Sequence, residues 1–121
     1  MRHLKKGREL GRIKSQRVAL FRTMLGSLVM QEKIKTTEAK AKEIKNRIDR
    51  VINKAKRGAA PEKKVAAIRD LRKYVPMMAV KKLMGEFIAR FEKRNSGYVR
   101  IIKLPARKSD AAKMAVIEFV D

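Results

Sequence analysis

The segment that most constrains the fold of this chain is 16–31, because it is apolar around much of its circumference. Its apolar residues at helical spacing are Val18, Phe21, Leu25, Leu28 and Val29, and those off this stripe are Leu20, Met24 and Met30. A helix of this kind is usually covered by other elements on two sides. We therefore expect a central helix over 16–31, with Ser15 as its N-cap residue.

The rest of the chain predicts a short strand, three more helices and two strands, in that order. Amphipathic periodicity indicates the helices, and runs of β-branched and aromatic residues indicate the last two strands. Threonine, glycine and proline residues set the boundaries. The predicted elements are a strand at 33–36, a helix from Thr36 or Thr37 to Gly58, a helix from Pro61 to Pro76, a helix over 80–91, and strands at 98–104 and 114–120.

The order α-β-α-α-α-β-β is typical of an α+β fold. It predicts a two-layer alpha/beta domain with a small three-stranded mixed sheet packed by helices. Residues 15–121 would form this single globular domain, as expected for a chain of 121 residues. Residues 1–14 have no hydrophobic period and are rich in cations, so they predict a basic N-terminal arm that orders on a polyanion.

Charge is the strongest functional signal, since 33 Lys and Arg face 12 Asp and Glu, which gives a net charge of +21. A small domain needs a net charge magnitude of only about 2–8 for solubility. The excess repels itself unless a polyanion neutralises it. Nucleic acid is the commonest such partner, and an anionic membrane surface is the second.

Residue types that support catalysis or metal binding are scarce. The chain has no Cys, and its one histidine, His3, lies in the basic arm, where nothing would hold it as a general base. Glycine motifs that cradle phosphates or dinucleotides are missing. We therefore expect no enzymatic activity, no catalytic residue, no metal site and no cofactor. No apolar run approaches the roughly 20 residues that span a bilayer, and no signal region follows the basic N-terminus, so we expect a cytosolic protein.

Three basic groups are candidate RNA contacts, because Lys and Arg neutralise phosphates. The first is the arm with the start of the central helix, namely Arg2, His3, Lys5, Lys6, Arg8, Arg12, Lys14, Arg17 and Arg22. The second is the outer face of the second helix, namely Asn46, Arg50, Asn53 and Arg57. The third is the strand pair, namely Arg100, Lys103, Arg107, Lys108 and Lys113, near Tyr98, whose ring can stack on an unpaired base. The alternatives are a solvated tail, a solvated helix face, and a Tyr98 that belongs to the core.

Two other functions are compatible with the composition. An architectural DNA-binding protein would share the charge, but the pattern contains no short helix-turn-helix, no dimer heptads and no apolar wedge on a ribbon tip. A cationic membrane-surface protein would use amphipathic helices, but a single core needs their apolar faces. RNA binding therefore explains more of the sequence than either.

Several motifs occur in order over nearly the whole chain. They are Met1-Arg2-His3, Gly7-Arg8-x-Leu10-Gly11-Arg12, Arg17-x-Ala19-x-Phe21-Arg22, Gly26-Ser27-Leu28-Val29, Ile34-Lys35-Thr36-Thr37-x-x-x-Ala41-Lys42-Glu43, Gly97-Tyr98-x-Arg100-Ile101-x-Lys103 and Ala115-x-Ile117-Glu118-Phe119-Val120-Asp121. Together they resemble the family of bacterial large-subunit ribosomal protein number seventeen. The sequence departs from the family at Leu4 and Gln16, where Arg is usual and His is frequent, and it matches only loosely over 58–76.

The resemblance implies a two-layer α/β domain that binds large-subunit rRNA near the exit of the nascent-chain tunnel. It also implies a structural role in subunit assembly and translation, with no enzymatic activity or cofactor. The implied partners are large-subunit rRNA and neighbouring large-subunit ribosomal proteins, in the cytoplasmic ribosome of a bacterium rather than in an organelle. We expect neither a membrane partner nor an autonomous homo-oligomer. The resemblance adds Lys35 and Lys42, beside Thr36 and Thr37, to the RNA-binding residues.

Overall fold

Helices cover one face of a small sheet in the computed structural model of this chain, which describes residues 7–120. The helices are α1 (Lys14–Gln31), α2 (Glu38–Arg57), α3 (Lys64–Leu71) and α4 (Met77–Leu83), and the strands are β1 (Lys33–Thr37), β2 (Val99–Leu104) and β3 (Met114–Phe119). Short 3-10 segments at Pro61–Lys63 and Glu86–Phe91 precede α3 and follow α4. The predicted α+β class and the predicted order of elements are confirmed.

The sheet has β3 in its centre and β1 and β2 at its edges. Ile117 of β3 pairs with Ile34 of β1 and with Ile101 of β2, and all three side chains belong to the core or pack against it. Both pairings are antiparallel, so the predicted mixed sheet is wrong. The reason is the position of β3, because β1 and β2 run in the same direction but are separated by it and never pair.

Only the middle part of the apolar stripe of α1 is buried. Its buried residues lie between Phe21 and Val29, where the helix contacts α2, α4 and β1, so the expected cover on more than one side is confirmed there. Val18, in contrast, is 52% exposed. The predicted Ser15 N-cap is wrong, because the backbone N–H of Arg17 donates to the carbonyl of Ile13 at 2.9 Å and begins the helix before Ser15.

α2 follows its prediction closely. Its apolar buried residues are Ala41, Ile44, Ile48, Val51, Ile52 and Ala55. Thr37 occupies the N-cap position, and Gly58 ends the helix with a right-handed φ of −76°. Gly58 is needed for space and not for a left-handed turn, because a Cβ there would lie 2.6 Å from the Cβ of Ala67. The glycine therefore allows α2 and α3 to pack closely.

The predicted third and fourth helices are each interrupted earlier than their periodicity suggests. α3 ends at Leu71, before the predicted stop at Pro76, and the predicted fourth helix is broken at Gly85, whose backbone is extended. This break directs Phe87 and Phe91 toward the sheet, where their ring centroids lie 5.0 Å from Phe119 and 5.4 Å from Tyr98 respectively. Buried edge-to-face aromatic pairs of this kind contribute about 0.5–1.5 kcal/mol each beyond the area that they bury.

Candidate nucleic-acid interface

Tyr98 is a core residue, so its predicted role in stacking on a base is wrong. Its ring has no exposed surface, and its hydroxyl donates to Asn53 Oδ1 at 2.6 Å. The backbone N–H groups of Gly97 and Tyr98 both donate to the carboxylate of Asp49, each at 3.3 Å. Asn53, predicted to face RNA from α2, therefore serves with Asp49 to hold the turn that leads into β2.

Two of the strand-pair cations, Arg100 and Lys103, are each matched by one acid but remain accessible. Arg100 Nε lies 2.8 Å from Glu118 Oε1, and Lys103 Nζ lies 3.7 Å from Glu38 Oε1. These two cationic side chains are still 62% and 74% exposed. Surface ion pairs of this kind contribute little and exchange readily for other anions. Arg100 and Lys103 therefore stay available to a phosphate.

The described part of the arm folds back onto α1 and α2. Arg8 Nη1 lies 3.5 Å from Glu43 Oε2, and Arg12 Nη1 donates to the carbonyl of Leu10 at 2.7 Å. Arg17 Nη1 in turn donates to the carbonyl of Arg12 at 3.1 Å. Backbone contacts of this kind hold these guanidinium groups near the surface of the domain. The remaining predicted arm contacts, Arg2, His3, Lys5 and Lys6, lie outside the described residues.

Other predicted contacts are exposed cations on α1, β1 and α2. Within residues 7–120 they make no ion pair with any acid. They are Lys14, Arg22, Lys35, Arg50 and Arg57. Long cations that no acid neutralises contribute to the surplus positive charge, and phosphate groups are their natural partners.

A groove runs between α1 and the edge strand β1, and we refer to it as the α1–β1 groove. It has a volume of about 390 Å³. Its polar lining consists of Thr23, Ser27, Gln31, Lys33, Lys35, Thr36 and Lys40. Hydroxyl and amide groups along α1 thus face lysines from β1 and α2, which is a combination that suits the oxygens of a phosphate backbone.

A second groove, the α2-start groove, lies around the first turn of α2 and has a volume of about 340 Å³. It is lined by Arg8, Thr37, Glu38, Ala39, Lys42, Ala112 and Lys113. The one acid in this lining is Glu38, and Lys42 Nζ lies 2.9 Å from its Oε1. The hydrogen bond from Lys42 holds the pKa of the Glu38 carboxyl below its ordinary value. Thr36 lines the first groove and Thr37 the second, so both grooves reach the end of β1. Lys35 lines the first groove and Lys42 the second.

A third depression, the Tyr74 cleft, was not predicted from the sequence. It lies between α1, α2 and the turn before α4, and its lining residues are Leu25, Arg47, Arg50, Val51, Lys54 and Tyr74. Of these, only Arg50 was a predicted contact. Arg47 Nη2 lies 3.4 Å from Glu43 Oε1 on the same helix. Tyr74 carried no sequence signal, because it lies in the stretch 58–76, which matches the family only loosely.

The described residues contain no group of three or more His, Asp or Glu side chains that would hold a metal ion. No helix within 7–120 is both long and apolar enough to cross a membrane. What the structure does assemble is a small basic α+β protein whose grooves suit an extended anion rather than a reacting small molecule. These features define the class of protein as a small basic α+β scaffold protein.

Comparisons with known proteins narrow this class to one family. Residues 20–120 match the family model described as ribosomal protein L17. The chain is 46% identical to large ribosomal subunit protein bL17 of Pelobacter propionicus over 121 residues, which covers all of this chain and 92% of that protein. It is 44% identical to bL17 of Thermodesulfovibrio yellowstonii, covering all of this chain and 88% of the relative. It is 41% identical to bL17 of Oenococcus oeni, covering 94% of this chain and 98% of the relative.

The chain therefore belongs to the ribosomal protein L17 family. The family predicted from the motifs is confirmed, and with it the expectation of a ribosomal protein rather than an enzyme.

Proposed function

We propose that this chain is a structural constituent of the large ribosomal subunit that binds and stabilises large-subunit rRNA. Its location is then the cytoplasmic ribosome, where it supports subunit assembly and translation. The observation that carries this proposal is the basic surface of two grooves, the α1–β1 groove and the α2-start groove. Lys35 and Lys42, which the family resemblance selects as RNA contacts, line one groove each.

The mode of binding follows from the chemistry of that surface. Lysine ammonium groups and Arg8 neutralise phosphates, while Thr23, Ser27 and Gln31 supply hydrogen bonds to phosphate or ribose oxygens. None of these groups reads a sequence of bases. We therefore propose recognition of RNA shape and backbone, with further contacts from Lys14, Arg22, Arg50, Arg57, Arg100 and Lys103.

Family resemblance further supports a position near the exit of the nascent-peptide tunnel, next to other large-subunit proteins. This position is tested by cross-linking mass spectrometry on ribosomes that carry a stalled nascent chain. Cross-links from exposed lysines such as Lys81 to proteins at the tunnel rim are expected. Cross-links only to proteins of the subunit interface would contradict the placement.

The primary test is co-sedimentation of the tagged protein from a bacterial lysate on a sucrose gradient, repeated after a high-salt wash. We expect it to travel with the large subunit and to survive the wash. A protein that remains at the top of the gradient, or follows chromosomal DNA or membranes, would refute the proposal.

Matched double variants test whether the basic surface itself carries the binding. Lys35→Ala with Lys42→Ala removes two cations from the grooves, whereas Lys63→Ala with Lys64→Ala removes two exposed cations elsewhere. The first pair should lower the slope of log affinity for large-subunit rRNA against log salt by about 2, and the second should change it little. Equal effects of the two pairs would show that only net charge matters.

A further inference from the structure

The Tyr74 cleft combines an apolar floor, an aromatic wall and a cationic rim. Leu25 and Val51 form the floor and are only 3% and 2% exposed. The enclosed part of the cleft has a volume of about 70 Å³, so it takes the edge of a flat group rather than a whole ligand. Tyr74 is 42% exposed and stands at the wall. Such a shape suits a planar ring carried on an anionic backbone.

The rim of the cleft contains a guanidinium group with an unused donor. Arg47 Cζ lies 4.0 Å from the centre of the Phe21 ring, which holds the guanidinium plane in place. Its Nη2 makes a long contact of 3.4 Å to Glu43 Oε1, and within residues 7–120 its buried Nε has no hydrogen-bond partner. The Nε is closed off from solvent, but the Arg47 side chain as a whole is 40% exposed. A phosphate can therefore approach the terminal Nη groups of Arg47, and hydrogen bonds to a charged guanidinium are strong.

On the opposite side of the cleft, Lys54 holds its position through an ion pair and a contact with the Tyr74 ring. Lys54 Nζ lies 2.6 Å from Asp70 Oδ2 and 5.3 Å from the centre of the Tyr74 ring. The hydrogen bond from Lys54 lowers the pKa of the Asp70 carboxyl, so this ion pair persists at neutral pH. Within the described residues the Tyr74 hydroxyl makes no hydrogen bond, so the ring is positioned by Lys54 while its outer face stays open.

We propose that the Tyr74 cleft binds one unpaired nucleotide of RNA, with the base against Tyr74 and the adjacent phosphate on Arg47 and Arg50. This inference rests on the proposed function and adds a specific site to it. A base in a duplex cannot enter the cleft, because its edge is paired and its faces are stacked. An acidic peptide would meet the same cations but would leave the aromatic wall without a stacking partner.

The composition of the chain offers a direct probe, because it contains two tyrosines and no tryptophan. Tyr98 is fully buried, whereas Tyr74 is open. In protein with ¹³C-labelled tyrosine rings, a short single-stranded RNA of mixed sequence should shift the ring signals of Tyr74 and leave those of Tyr98 in place. The same RNA annealed into a perfect duplex is the matched ligand and should shift neither.

Three variants, measured by filter binding to large-subunit rRNA, complete the test. Tyr74→Leu should weaken binding about tenfold without changing its salt dependence, because stacking is lost and no charge is removed. Arg50→Ala should weaken binding and reduce the salt slope by about 1. Tyr74→Phe keeps the ring and should bind as the unaltered protein does.

The possible results separate the two proposals. If the unaltered protein binds rRNA but the Tyr74 signals stay fixed and Tyr74→Leu binds equally well, the cleft proposal is overturned and the proposed function stands. If single strand and duplex shift Tyr74 equally, the site recognises charge alone and the proposal is again overturned. If the unaltered protein binds rRNA no better than random DNA duplex, the proposed function fails and the cleft proposal fails with it.

Discussion

Gly26 of α1 lies directly against Pro76, so that a Cβ on Gly26 would be 2.7 Å from Cδ and 2.9 Å from Cγ of that proline. A glycine within a helix costs about 1 kcal/mol relative to alanine. Here it permits the chain that enters α4 to cross α1 at close range. The proline ring is rigid and belongs to the start of that segment, so it cannot move aside as a flexible side chain would.

Gly26→Ala should therefore destabilise the protein by about 1–3 kcal/mol, although alanine favours helices more than glycine does. Urea unfolding followed by circular dichroism measures the change. The matched control is Gly26→Ala combined with Pro76→Ala, in which the space is restored and the cost of the added methyl group should largely disappear. A single Gly26→Ala variant more stable than the original protein would contradict the close contact.

Leu25→Asp should abolish the folded state, because Leu25 is only 3% exposed and a buried, unpaired carboxylate costs several kcal/mol out of the roughly 5–15 kcal/mol that hold a domain together. Val18→Asp is the matched control on the same helix, since Val18 is 52% exposed. It should change stability by no more than about 0.5 kcal/mol. Thermal unfolding of both variants decides the question, and similar melting curves would disprove the observed orientation of α1.

Tyr98→Phe should destabilise the protein by about 1–2 kcal/mol, because it removes the donor to Asn53 Oδ1 and leaves that partly buried oxygen with one partner fewer. It should leave affinity for rRNA unchanged. Tyr74→Phe is the control for stability, with an expected change of no more than about 0.5 kcal/mol. A loss of RNA affinity in Tyr98→Phe at unchanged stability would restore the role first expected of Tyr98.

Acid titration should show an unusually acidic group in the loop between β2 and β3. Arg107 donates from Nε at 2.9 Å and from Nη2 at 2.7 Å to Asp110, and these hydrogen bonds lower the pKa of the Asp110 carboxyl from 3.8 to about 2. Because the folded-state pKa is depressed, the contribution of this pair to stability is present above the unfolded pKa. It is lost as the pH falls toward about 2.

Carboxyl carbon chemical shifts measured by NMR check this prediction. Arg107→Ala should raise the Asp110 midpoint toward 3.8, since it removes the largest cause of the shift. Lys108→Ala removes a neighbouring exposed cation and should leave the midpoint nearly unchanged. An Asp110 midpoint that is the same in Arg107→Ala and in the original protein would show that the pair does not form in solution.

Local patterns were sufficient to predict α2 and the hairpin of β2 and β3, because each is set by periodicity within its own segment. The break at Gly85 was not predictable in this way, since it depends on the packing of Phe87 against Phe119, which is distant in sequence. The exposure of Val18 was not predictable for the same reason, because it too depends on tertiary contacts. Periodicity identifies a face that can be buried, but only tertiary contacts decide how much of it is buried.

In the candidate site, too, local patterns identified some residues, whereas others depend on tertiary contacts. Net charge and motif order were sufficient to select Lys35 and Lys42, and the structure places each of them on a basic groove. Tyr98 was misassigned, because its hydrogen bond to Asn53 joins residues 45 positions apart and leaves no trace in the local sequence. Tyr74 was missed for the opposite reason, since a solitary tyrosine in a turn becomes meaningful only when α2 brings Arg47 and Arg50 beside it.

The position of β1 at the edge of the sheet also affects the free protein before it assembles with a partner. An edge strand with unpaired backbone groups is a template on which a second copy can add its own strand and start aggregation. Here that edge carries the exposed side chains of Lys33 and Lys35, so two free chains approaching edge to edge would bring like charges together. The lysines that suit a polyanion thus also keep newly made chains apart, and this protection lasts until a polyanion covers them.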